Sequence, residues 1–247
     1  MLPMFVHLRL HSEFSVVDGT TRINSIIKAA AADGQAAMAL TDYNNMFGAI
    51  KFYKEGRGKG VKPVLGTEIQ LEGEEGAAAS RVLLLVQNKV GYHNLCELLA
   101  RGWTRNVVKS QAVYTWEWLQ ELGEGLIVLS GAQAGPVGQA LMRGDMAGAA
   151  NLALRLAAMF PHRFYIELQR AGRADDEAHV LAAAQLASRL NLPVVATHPI
   201  QFFAPDDYEA HEARVCIAEG EILGNPKRVR RFTREQCFKT QAEMEAL

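Results

Sequence analysis

Short apolar runs rich in Val, Ile and Leu alternate with helical patterns along the whole chain, and that alternation limits the possible fold more than any other feature. Seven runs read as strands: 5–10, 36–40, 62–71, 81–87, 126–130, 163–168 and 193–197. Several are apolar on both faces, as parallel strands covered by other layers must be. Between them, 22–32, 46–59, 91–103, 146–159 and 175–190 carry helix formers at helical spacing. The first of these is closed by Asp33-Gly34, a helix stop signal. Such alternation implies right-handed βαβ units, in an open doubly wound sheet or a barrel, and seven strands favour the barrel. The expected fold class is α/β, mostly parallel strands with outer helices.

The 247 residues fit one α/β barrel domain spanning 1–247, with no internal repeat and no linker dividing it. The stretch 72–80 reads as an exposed loop, and 225–247 as a basic connection followed by a short helix. A formal net charge of −1 argues against a domain that grips nucleic acid by bulk charge. Cys96, Cys216 and Cys237 show no metal-binding spacing, and the sparse, odd count suits a reducing compartment. No signal peptide and no membrane-length apolar run is present, so the expected location is cytoplasmic, with no membrane contact.

The chemistry concentrates in HLRLHSEFSVVDG (7–19) at the end of the first strand. In parallel α/β folds that is the end where ligands bind. His11 and Asp18 lie on the strand end and its loop; TDYNN (41–45) follows strand two and supplies Asp42; Glu68 lies in strand three. His, Asp and Glu at successive strand ends form the skeleton of a metal site.

These words resemble the PHP (polymerase-and-histidinol-phosphatase) family, which opens with His-x-His-Thr/Ser, Tyr/Phe-Ser and Asp-Gly and continues with Thr-Asp-His-x-Asn. NNMFGAIKFYKEGRGKGVKPVLGTE (44–68), GYHNLCELL, LIVLSGAQAGPVG, RFYIELQRAGR, LPVVATHPIQF and DDYEAHEARVCIA are similar, in the same order, to segments of the form found in bacterial DNA polymerase III alpha subunits of the replicative type. The resemblance implies a distorted (βα)7 barrel whose active members hydrolyse phosphoesters with two or three metal ions. That chemistry needs about nine ligands. Here His11, Asp18 and Glu68 match ligand positions, while Arg9, Tyr43, Arg81, Ala132, Pro199 and Gln201 replace the others. A guanidinium cannot donate a lone pair and brings fixed charge, so Arg9 and Arg81 read as replacements for metal. The expectation is a relic site with no catalytic residue, no metal and no cofactor in this domain.

By the same resemblance the parent is a DNA-directed DNA polymerase of replication, a nucleotidyltransferase. Its magnesium ions and DNA contacts lie in domains downstream. The resemblance implies a scaffold for those remaining domains of the alpha subunit and a docking surface for the epsilon proofreading exonuclease. An active metal-dependent phosphoesterase or proofreading nuclease, and the related error-prone polymerase, are the alternatives. Among other candidates, His198 lies beside a lost ligand position, Asp42 can bind a cation or cap a turn, and Glu167 can pair with an arginine. His93, His162, His179 and His211 read as structural or exposed, and His7 is given no role.

Overall fold

Strand and helix boundaries fall where the sequence changes its periodicity. The computed structural model describes residues 4–73 and 78–247. The chain runs through α1 (Ile23–Ala32), β1 (Ala37–Leu40), α2 (Ala49–Lys59), β2 (Lys62–Leu71), β3 (Ser80–Val86), α3 (Lys89–Arg105), β4 (Val107–Val108), β5 (Gln111–Ala112) and α4 (Trp116–Glu121). It continues with β6 (Leu126–Leu129), α5 (Pro136–Met142), α6 (Met146–Met159), β7 (Phe164–Gln169), α7 (Asp176–Leu190), β8 (Val194–Thr197), α8 (Tyr208–Glu219) and α9 (Gln241–Ala246). Part of the loop expected over 72–80, residues 74–77, lies outside the described residues.

Side-chain caps start several helices by satisfying amide donors that the first turn leaves without partners. Asn88 accepts from the Gly91 amide, Thr115 from Trp118 and Asp145 from Gly148. Thr240 and Glu243 form a reciprocal capping box on α9.

Hydrogen bonding orders six strands as β1-β2-β3-β6-β7-β8, a mostly parallel α/β arrangement, and pairs β4 with β5 separately. One strand departs from the parallel expectation: β3 runs antiparallel to both β2 and β6. The link at 72–79 is too short for the crossover that a parallel pair requires, which takes a dozen or more residues. A second correction concerns 5–10, which forms no continuous strand. His7 bridges Met38 and Leu10 bridges Ile200, each as an isolated parallel contact. The Leu10 amide is bonded instead to Thr41 Oγ1 at 2.9 Å, so a side chain takes the place of a ladder acceptor.

The described residues fall into two compact units. The first comprises 4–65, Arg170–Ala174 and Thr197–Leu247; the second comprises 66–73, 78–169 and Asp175–Ala196. In the first unit, Leu10, Ile23, Ile26, Ile27, Met38, Leu40, Phe52 and Ile200 form one buried apolar cluster. The spacing of Ile23, Ile26, Ile27 and Ala30 puts one face of α1 into it. The basic connection is tied down within this unit. Arg228 pairs with buried Glu212, Arg231 lies 3.1 Å from Glu219, and Arg234 sits over the Tyr208 ring. In the second unit, β3 contributes Val82, Leu83, Leu84 and Leu85 and β6 contributes Leu126, Val128 and Leu129, all buried. No helix among the described residues is long and apolar enough to cross a membrane. Cys96, Cys216 and Cys237 are free thiols.

Candidate functional site

The loop after the first segment of the first unit folds around two carboxylates. His11 Nδ1 lies 2.8 Å from Asp18 Oδ1, and Ser15 Oγ donates to the same oxygen at 2.9 Å. Ser15 Oγ also accepts from the Tyr43 amide at 3.1 Å, which ties this loop to the one after β1. Asp42 is held from the other direction. The Ser12 amide donates to its Oδ1 at 2.6 Å and Ser12 Oγ to its Oδ2 at 2.9 Å. His11, Asp18 and Asp42 are all within 1% of complete burial. Asp42 thus ties the 12–18 loop to the end of β1 through Ser12.

Burial pushes the Asp42 carboxyl up to about 6, against the lowering pull of its Ser12 hydrogen bonds and of His11, with the Asp18 charge adding to the rise. An aspartate in this state carries a proton well into the range where a solvated one is ionised.

Arg9, Tyr43, Pro199 and Gln201 also lie in the first unit, all buried. The Thr20 amide donates to the Gln201 carbonyl at 2.9 Å, and the Gln201 side-chain oxygen is buried without a hydrogen-bond partner. His198 is turned to structural use: its Nε2 bonds the Cys237 carbonyl at 3.0 Å, while His7 Nε2 bonds the Lys239 carbonyl at 2.8 Å. His211, which reads from the sequence as structural or exposed, is buried, and its Nε2 donates to the Asp18 carbonyl at 2.8 Å and so fixes the loop that carries Asp18. No local pattern announces this contact across 193 positions.

Burial lowers the His7, His198 and His211 imidazoles, His198 to about 4. The unfolded chain binds a proton at His198 near pH 6.5 that the folded chain refuses until about 4. Stability is therefore full above 6.5 and falls as pH drops toward 4, by about 3 kcal/mol from this residue. Asp42 acts in the opposite sense, because the folded chain holds its proton up to about 6. Its contribution is full below the ordinary aspartate range and is lost as pH rises to 6. The two offset each other between pH 4 and 6. Asp42→Asn is expected to gain about 1–2 kcal/mol at pH 7, since the amide oxygen still accepts from Ser12 while the buried charge is gone. Its stability should also fall more steeply toward pH 4 than that of the wild type. Urea unfolding at stepped pH checks both; a variant less stable at pH 7 would show that the charge at Asp42 is needed.

The second unit holds Glu68, Arg81 and Ala132. On the β2–β3 ladder Glu68 faces Leu83 and Gln70 faces Arg81, so Glu68 and Arg81 are diagonal neighbours on one sheet face. Arg81 Nη1 reaches Glu68 Oε2 at 3.1 Å, with the carboxylate side chain 3% exposed and the guanidinium 29%. Ala132 sits in a tight turn after β6 with φ +47°. Beside it, Glu167 accepts from the Gly131 amide at 3.1 Å and from Gln169 Nε2 at 3.0 Å. Among the described residues, no three His, Cys, Asp or Glu side chains are grouped so that they could hold a metal ion.

Comparison with known proteins places these geometries in context. The PHP domain model matches residues 7–171. The DNA polymerase III subunit alpha of Pseudomonas aeruginosa is 46% identical over 100% of this chain, and that of Vibrio cholerae is 42% identical over 98%. The chain spans about a fifth, 21%, of the length of these curated relatives. Among solved structures, an amidohydrolase from Chromobacterium violaceum with bound sulfate and no metal aligns with TM-score 0.57 at 13% identity. That alignment covers 85% of this chain and 96% of the amidohydrolase. At that identity the likeness speaks for the fold alone.

Proposed function

The chain belongs to the PHP domain family, and from that premise we propose that it is the PHP domain of a DNA polymerase III alpha subunit whose own metal site has given way to an arginine pair and internal hydrogen bonds. In this reading it performs no chemistry. It acts as a scaffold for the remaining domains of the alpha subunit and as a docking surface for the epsilon proofreading exonuclease. Nucleotidyl transfer, its magnesium ions and the contact with DNA belong to those remaining domains, in the cytoplasm.

The Glu68–Arg81 pair carries the non-catalytic reading. A carboxylate that bridges cations in an active site meets a guanidinium here, and the charge it needs opposite is supplied by the protein. The other retained carboxylates are also committed: both Asp42 oxygens to Ser12, and Asp18 to His11 and Ser15. This donor set does not fit a centre of two or three ions, each of which takes four or more ligands.

Activity assays test the reading. The purified chain with added manganese or zinc should hydrolyse neither a phosphomonoester nor single-stranded DNA above the level of Glu68→Ala. Catalysis of this kind relies on the ions both to generate the nucleophile and to stabilise charge. Turnover that survives repurification and disappears in Glu68→Ala would instead establish a working phosphoesterase. For docking, the exonuclease subunit should be retained by the immobilised chain. Retention by a full-length alpha subunit but not by this folded chain would place the docking surface elsewhere.

A further inference from the structure

Helix α2 has the wrong outside for a surface helix. Its inward face is conventional: Ala49, Phe52 and Gly56 are buried, with Phe52 fully so. The exposed sides of a surface helix are normally polar. Here Phe47, just before the helix, is 70% exposed, Ile50 is 69% exposed and Tyr53 48%. Ile50 and Tyr53, three positions apart, share one side of the helix, and Phe47 lies in the turn that leads into it. Single exposed apolar side chains are ordinary, but a contiguous group calls for an explanation.

This apolar patch is also edged with positive charge. Between Ala49 and Pro63 the chain carries Lys51, Lys54, Arg57, Lys59 and Lys62 against Glu55 alone, on a chain of net charge −1. Lys51 is answered by Glu13 at 2.8 Å. Lys54 stands four positions from Ile50 and Arg57 four from Tyr53, on the same exposed side of the helix. At its carboxyl end the patch opens into a concavity of about 490 Å³ walled by Tyr53, Arg57, Lys62 and Pro63.

We propose that the Phe47–Ile50–Tyr53 face of α2 and the adjoining Arg57–Lys62 concavity form a docking surface for a partner protein segment that carries apolar anchors flanked by acidic side chains. This rests on the docking reading above and names its face and the chemistry of the occupant. Complementarity fixes the sign: basic groups around an apolar centre favour an acidic partner and disfavour a basic one. A protein segment suits the surface better than nucleic acid does. Phe47 and Tyr53 offer rings on which bases could stack, but Ile50 between them interrupts that platform, and a chain of net charge −1 gives no bulk attraction for phosphates.

Fluorescence anisotropy on the full-length polypeptide that carries this domain tests the assignment. The probes are a labelled peptide with Leu and Phe at helical spacing and Asp or Glu between them, the same peptide with Lys at every acidic position, and an oligothymidylate. The acidic peptide should bind, more weakly as salt is raised, and Ile50→Ser should weaken it at least tenfold. Arg57→Glu should shift the preference toward the lysine peptide. Both substituted side chains are exposed, so the variants should melt with the wild type. Equal binding of the two peptides, no binding, preference for the oligothymidylate, or indifference to Ile50→Ser would each overturn the proposal. So would a dimer of the chain that Ile50→Ser dissolves. The exonuclease subunit is measured alongside. If it binds wild type and both variants alike, the docking reading stands and this surface falls. If the acidic peptide binds as expected and the exonuclease does not, the surface stands and the exonuclease is not its occupant.

Discussion

An alanine at Gly131 is expected to cost about 3–5 kcal/mol, which would leave a domain of ordinary stability barely folded. Two separate penalties meet at this position. Gly131 has φ +84°, a conformation in which a side chain is strained by about 1–2 kcal/mol. A Cβ there would also stand 1.8 Å from the Arg81 carbonyl oxygen and 2.8 Å from Gly135 Cα. Backbone atoms cannot step aside as the end of a flexible side chain can, so the turn after β6 and strand β3 would have to part. The Gly131 amide is a donor to Glu167, and that bond would be disturbed by the same shift. Gly34 provides the control. It has φ +71° but nothing within 4 Å of a Cβ, so Gly34→Ala should show the conformational strain alone. Urea denaturation of the two variants separates the terms. A Gly131→Ala midpoint close to that of Gly34→Ala would mean that the close approach to Arg81 relaxes at little cost.

Periodicity carried the elements further than it carried their directions. Residues 62–71 and 146–159 form β2 and α6 over the same spans that their patterns mark out. The 22–32 pattern ends at Asp33-Gly34, where α1 stops. What escaped the sequence was short or contextual. The β4–β5 hairpin turns through Lys109 and Ser110, both at positive φ and neither a residue that signals such a turn. α5 is only seven residues, too short to display a periodicity. The reversal of β3 is legible in the brevity of its link to β2, which is shorter than a parallel crossover needs. Motif words marked His11, Asp18, Asp42 and Glu68 as candidates, since ligand chemistry requires particular residue types at particular strand ends. The serines that hold the carboxylates and the remote His211 carried no such signal. A hydroxyl or an imidazole in a loop or helix has many ordinary uses, and only the fold selects among them.

Arg81→Ala is expected to cost about 3 kcal/mol. The magnitude follows from what removal leaves behind rather than from the strength of the contact. Glu68 is 3% exposed on the β2–β3 ladder and would lose the guanidinium 3.1 Å away. Removing one member of a buried pair typically costs about 3–5 kcal/mol, because a desolvated charge is left without its counterpart. Arg81 keeps 29% of its side chain in contact with solvent, which screens the pair and moves the expectation to the lower end of that range. Arg81→Lys should recover only part of the loss, since an ammonium cannot present the planar fork that suits a carboxylate. Removing both charges with Glu68→Gln and Arg81→Leu should cost less than Arg81→Ala alone, as neutral replacements need no compensation. A double-mutant cycle by urea unfolding measures the coupling directly. Strong coupling would support the view that this arginine performs the electrostatic work of an absent cation. Arg81→Ala costing no more than a surface substitution, within about 0.5 kcal/mol, would remove the ground for calling it a replacement for metal.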